Sequence, residues 1–216
     1  MLAAGLVLIG TACLVVGIRG HQHPPAGPVA VHAVLPKSVG ETTTAPAKVD
    51  PLVTTRSVPV ALSIPAIGLS VSLSTLGLNA DGTVRVPTDP QQPGWYRLGP
   101  APGQLGSAVI LGHVDSYRGP AVFFQLRTLV AGNQVDVGLA DGITAVYDVT
   151  SVVLYPKQAF PDQQVYGSHG YSALQLVTCG GVFDRQTGHY LSNVVVYTSL
   201  AEVTPTPATA AGVAGA

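Results

Sequence analysis

The sequence predicts an all-β domain, and three observations carry that expectation. The chain holds 25 Gly and 18 Pro in 216 residues and is otherwise rich in Val and Thr, a composition that suits short strands joined by many turns. Its apolar residues alternate with period two or form short uninterrupted runs, the patterns of half-buried and fully buried strands. Hydrophobic residues at 47% can fill a core. Charged residues, at 10%, fall far below the usual share of about a quarter. A net charge of −1 leaves no basic footprint for nucleic acid, so no nucleic-acid partner is expected.

Taken in order, residues 2–18 (LAAGLVLIGTACLVVGI) form an uncharged apolar run, about the shortest that crosses a bilayer as a helix. No Lys or Arg precedes it and no small-x-small cleavage site follows. Residues 1–19 are therefore expected to be a membrane anchor or signal-anchor. Residues 20–56 are Pro-, Ala- and Thr-rich without a sustained period, as in a flexible linker. His21, His23 and His32 lie in that segment without fixed geometry, and are read as solvated. The folded domain is expected over residues 57–203, and a disordered tail over 204–216.

Within the domain, Pro59 and Pro65 interrupt residues 58–71, which fits an edge strand and a turn. Asp81-Gly82 is a tight-turn pair leading into a short alternating strand at 83–87. Trp95 and Tyr96 sit in a Pro/Gly-rich stretch, 90–106, and read as a core plug under a loop. Residues 107–113 (SAVILGH) read as a strand buried on both faces. Residues 120–129 read as a helical turn packed through Phe123, Phe124, Leu126 and Leu129. Strands follow at 134–138 and 144–154 about a Gly142 turn. Residues 155–172 form a loop long enough to be a lid or specificity wall, and 190–198 a closing strand.

The remaining run, 174–184 (LQLVTCGGVFD), carries the chemistry. Leu174, Leu176 and Thr178 alternate with Gln175 and Val177, and the strand delivers Cys179 to a Gly180-Gly181 break that allows close backbone approach. Most free cysteines are small buried hydrophobes, and most single histidines after strands are structural. The combination changes the weighting. Cys179 and His113 both end apolar strands, and two such strands side by side place thiol and imidazole at one sheet edge. Cys13 lies in the apolar N-terminal run and is no disulfide partner for Cys179. That leaves a free thiol facing an oxidising compartment, a liability unless buried or used. Asp115, Asp136, Asp141, Asp148, Asp162 and Asp184 are scattered, and no zinc spacing occurs, so neither a metal nor another cofactor is expected.

Over roughly residues 57–200 the chain resembles a sortase, most closely the actinobacterial class F group. The resemblance rests on IPAIG at 64–68, GWY at 94–96, AVILGHVDS at 108–116, FFQL at 123–126, LVTCGGVFD at 176–184 and GHYLSNVVVY at 188–197. It implies an eight-stranded β-barrel with one or two short helices behind an N-terminal membrane helix. It also implies a single-pass membrane enzyme whose catalytic domain lies outside the cell. Its activity would be cysteine transpeptidation, cutting an LPxTG-like sorting signal between Thr and Gly and passing the protein to an amine of a peptidoglycan precursor or a pilin. Cys179 would be the nucleophile and His113 the acid and base.

The family arginine that donates to the oxyanion has no direct counterpart here. Counting from Thr187-Gly188, its place falls on or beside Asn193, a donor without charge. Arg185, the only arginine after Cys179, would bring charge if its loop folded back. Two other classes remain for comparison. An L,D-transpeptidase also needs Cys and His on a β scaffold, but its SHGC-like run is missing, since Ser168-His169-Gly170 precedes Tyr171. The other is an anchored β-module in which Cys179 is structural.

Overall fold

The computed structural model describes residues 56–205. The expected anchor, the expected linker up to residue 55, and the tail from residue 206 lie outside the described residues. The strands are β1 Pro59–Ile64, β2 Leu69–Ser72, β3 Ser74–Leu76, β4 Gly94–Tyr96, β5 Gly106–Leu111, β6 Asp115–Ser116, β7 Gly119–Pro120, β8 Gln134–Leu139, β9 Ile143–Pro156, β10 Ser172–Asp184 and β11 His189–Pro205. Single 3₁₀ turns occupy Pro65–Ile67, Leu126–Thr128 and Lys157–Ala159, and one short helix, α1, spans Asp162–Tyr166.

Nine strands form one sheet in the order β2-β1-β8-β9-β11-β10-β5-β4-β3, with β6 and β7 as a separate hairpin. The two ends of that order, β2 and β3, are neighbours in the chain. Only Leu73 separates them; its N–H donates to Val60 O at 2.9 Å, while the Ser74 N–H donates to Pro93 O at 2.9 Å. One bent strand thus carries one edge of the sheet into the other, giving a nearly closed barrel of eight strands when β2 and β3 are counted together. Joining the edges removes the unpaired ladder groups that an open sheet would leave.

Strand parity assigns the faces. Leu174 and Leu176 of β10, Ala108 and Ile110 of β5, and Val196 of β11 point inward, where they pack with Phe123, Leu126, Val135, Val137 and Tyr147. The alternate residues Val109, Val177 and Val195 point outward and form a second, smaller cluster with Val165 of α1. Burying Val165 contributes roughly 1.5–3 kcal/mol and holds α1 against the outer face. By the same alternation Thr178 faces inward. Cys179 faces outward, at the end of the Val177 row.

Several sequence expectations change. β1 lies between β2 and β8 and is not an edge strand; Pro59 is tolerated because it opens the strand, beside a register shift between Pro59 and Ala61. Residues 83–87 form no strand, only a bridge between Leu78 and Val84 flanked by hydrogen bonds to Gly77 and Asn79, because Pro87 cannot donate to extend the ladder. Of the segment 120–129 only Leu126–Thr128 is helical; Phe123, Leu126 and Leu129 are buried, whereas Phe124 is exposed. The loop expected over 155–172 contains the end of β9, a 3₁₀ turn and α1. Gly180-Gly181 does not end β10, which continues to Asp184 through a register shift between Gly180 and Phe183. A bulge absorbs the glycines, and β11 keeps the ladder going. Trp95 is buried in β4, its Nε1–H donating to Pro100 O at 3.1 Å, as a core plug should be.

Candidate active site

β5 and β10 run parallel, in register from Ser172 opposite Gly106 to Val177 opposite Leu111. The Gly112 N–H still donates to Val177 O at 3.1 Å, and then the strands part. Gly112 makes the departure possible: a Cβ there would stand 2.6 Å from the Phe123 ring, so any side chain would displace a fully buried phenylalanine. His113 lies two residues beyond Leu111, and Cys179 two residues beyond Val177. The shared register therefore delivers both to the same level of one rim.

Beyond that level β10 keeps only β11 as a partner, and Cys179 is opposite Asn193. The place that β5 vacates is a cavity of about 930 Å³, lined by His113, Cys179, Asn193 and Tyr190, with apolar walls that include Leu111, Val177, Phe160 and Tyr166. Tyr96 and Tyr166 meet edge to face at 5.9 Å. Burial, with the charge on Asp162 and then Tyr96 adding to it, pushes the Tyr166 phenol up to about 12, so it stays a neutral wall. α1 and its flanking turn form one side of this cavity.

His113 is half-buried, and its Nε2 lies 2.7 Å from Pro87 O. A carbonyl can only accept, so Nε2 carries the proton and Nδ1 is left as the basic atom. Cys179 is half-buried and is a free thiol. Tyr190 adds a contact that the sequence does not announce: its hydroxyl donates to Asp115 Oδ2. This bond ties β11 to the segment just after His113. The hydrogen bond to Asp115, then burial, then the negative charges of Asp115 and Cys179 hold the Tyr190 phenol above its ordinary value, and Arg127 opposes them. The Tyr190 ring also stands edge to face with Phe183 at 5.1 Å.

Three of the four residues singled out from the sequence, His113, Cys179 and Asn193, line one cavity. Arg185 is exposed on the turn between β10 and β11 and lines neither this cavity nor the smaller one beside it. Asp184 organises that turn, accepting from the Gln186 N–H at 2.8 Å and the Thr187 hydroxyl at 2.9 Å. Those bonds, the Gln186 one foremost, hold its carboxyl below the ordinary value. Asp115, Tyr190 and Arg127 are the site residues missed from sequence; the only available signal was that Asp115 and Tyr190 flank His113 and Asn193 closely. Among the described residues no three His, Cys, Asp or Glu side chains converge on a metal position.

A model of the sortase domain matches residues 62–201. Among solved structures, a lid mutant of sortase A from Corynebacterium diphtheriae superimposes with a TM-score of 0.54 at 17% identity, covering 70% of this chain and 74% of that one. Sortase C from Streptococcus pneumoniae gives 0.52 at 18% identity, covering 68% of each chain. Sortase A from Listeria monocytogenes gives 0.52 at 15% identity, covering 69% and 90%. At such identities the likeness shows the fold. A search of curated proteins returned no match.

Proposed function

The chain belongs to the sortase family, and from that premise we propose that Cys179 and His113 are its catalytic pair, acting on an LPxTG-like sorting signal. The observation that carries this reading is the parallel register of β5 and β10, which sets thiol and imidazole two residues past the same closing pair. Family membership supports this reading over an L,D-transpeptidase or a structural cysteine.

In this mechanism the Cys179 thiolate attacks the threonine carbonyl carbon of the signal. The tetrahedral intermediate collapses with cleavage of the C–N bond to glycine, and His113 protonates the departing amine. Nδ1 is the atom that exchanges this proton, because Nε2–H is engaged by Pro87. The oxyanion is met by the Asn193 amide, since cross-strand partners stand roughly 4.5–5.5 Å apart at Cβ. Asn193 rather than Arg185 takes this part. The apolar walls at Leu111, Val177 and Phe160 suit the leucine and proline of the signal. An amine of a peptidoglycan precursor or a pilin then attacks the thioester. The class F assignment, and a single-pass anchor at residues 1–19 with the domain outside the cell, complete the proposal.

The test is to incubate the full chain with an LPxTG peptide and follow the acyl adduct on Cys179 by intact mass. Wild type should form it and turn over, Cys179→Ala should do neither, and His113→Ala should not turn over. Cleavage surviving in Cys179→Ala overturns the mechanism. Protease added to intact cells should remove the domain; full protection would reject the extracellular placement.

A further inference from the structure

Cys179 forms part of the partition between two cavities. The second, of about 370 Å³, is lined by Cys179, Thr178, Gly180, Val194 and Tyr190 on one side and by Phe123, Phe124 and Arg127 on the other. Thr178 and Val194 are inward-facing by parity, so this cavity opens at the end of the barrel interior, whereas the larger one lies along its outer face. Glycine at 180 leaves that space open, since a Cβ would stand 2.7 Å from Val194 Cγ2.

The charged residue lining the second cavity is Arg127, whose side chain is exposed to solvent. Its guanidinium lies over the Phe124 ring at 5.6 Å, and no carboxylate of the described residues forms an ion pair with it. Arg127, Cys179 and the Tyr190 phenol all line this one cavity. Thr178 Oγ1, also on this cavity, is buried and has no hydrogen-bond partner. A guanidinium without a carboxylate, beside a pocket whose other polar groups are uncharged hydroxyls and a thiol, is a fork for an external anion.

Resting on the reading that Cys179 carries an acyl group, we propose that the second cavity receives the acceptor, and that Arg127 selects amines that bear a carboxylate. A transpeptidase must hold two substrates at one thioester. The larger cavity takes the acyl side, and the acceptor nitrogen arrives from the other. That nitrogen attacks the thioester carbonyl carbon, the C–S bond breaks with sulfur leaving as thiolate, and the proton lost by nitrogen passes to His113. An amide and the free enzyme result. Arg127 moves no proton; it pairs with the carboxylate of the acceptor, and the Thr178 hydroxyl is the acceptor for an N–H of the incoming amine.

The experiment uses the full chain acylated by an LPxTG peptide and pairs of small acceptors that differ only in charge. These are glycine and glycinamide, β-alanine and β-alaninamide, and 4-aminobutyrate and its amide, which sample the distance between amine and anion. Amide formation is measured as kcat/KM for each, in wild type, Arg127→Ala and Arg127→Lys. Differences in amine basicity cancel when the carboxylate-to-amide ratio is compared between enzymes. The ratio for the best-fitting pair should fall about tenfold in Arg127→Ala, mainly through KM, and be partly kept in Arg127→Lys. An unchanged ratio for all three pairs overturns the acceptor assignment while the thioester itself remains visible. Slowed acylation with an unchanged ratio also overturns it, and assigns the cavity to the departing peptide. If wild type forms no thioester, the catalytic reading fails, and this inference with it.

Discussion

Replacing Asn193 or Arg185 by alanine separates the two donors that the sequence leaves open. Asn193 is the registered partner of Cys179, and both side chains lie on the outer face of the sheet. The amide is therefore within one hydrogen bond of an oxygen formed on the atom bonded to Sγ. Arg185 lies six residues after Cys179, and β10 stays extended as far as Asp184. At roughly 3.3 Å per residue its Cα is ~20 Å away, shortened somewhat by the bulge, which is farther than an arginine side chain reaches. Loss of one oxyanion donor slows acylation by about 10²–10³. Because Asn193 is half-exposed, the lower end applies, about a hundredfold. Arg185→Ala should stay within about twofold, as befits an exposed charge on a turn. Rapid-quench single-turnover acylation, read as the mass of the thioester, measures both. An Asn193→Ala enzyme at the wild-type rate, beside a hundredfold slower Arg185→Ala, would refute the argument from register.

Gly180→Ala should destabilise the fold by about 1–3 kcal/mol, because its Cβ runs into Val194 inside the barrel end; at about 2–4 °C per kcal/mol a thermal melt resolves the drop. Gly138→Ala is the control, its Cβ meeting only Ala61 Cβ at 3.4 Å, and equal melting temperatures for the two variants would dismiss the packing argument. Asp184 sets a pH dependence: its folded pKa lies below 3.8, so the order it gives the β10–β11 turn is complete above the ordinary value and is lost as pH falls through the lowered one. The Gln186 amide shift should titrate with a midpoint under 3.8. A midpoint at or above it would mean that the carboxylate is not bonded as described.

What was readable in the chain depended on how far apart the cooperating residues lie. Apolar runs ending in Cys179 and His113 were visible because each is a local pattern, and the idea that they stand side by side matches the β5–β10 pairing. The bond from Tyr190 to Asp115 spans 75 residues, and the only local sign of either end is its closeness in the chain to Asn193 or His113. Arg127 reads as a surface charge and stays exposed; only the packing of its 3₁₀ turn on β11 brings it to the cavity that Cys179 also lines. Local grammar also misled. Gly180-Gly181 carries the signature of a stop, yet β11 on the far side sustains the ladder and converts the stop into a bulge. Residues 83–87 alternate as a strand does but find only one bridging partner. α1 is five residues long, too short for a helical period to emerge from sequence.

The parallel pairing also ties reactivity to the order of folding. Gly106 and Ser172, the first registered pair of β5 and β10, are 66 residues apart in the chain, whereas β8–β9 and β10–β11 are hairpins that can form from nearby segments. Long-range parallel contacts form slowly, because loop closure precedes any gain. A chain that has made only its hairpins therefore has a thiol but no imidazole beside it. On the proposed Cys179–His113 mechanism, the first appearance of peptide cleavage during refolding should mark the moment at which the barrel closes.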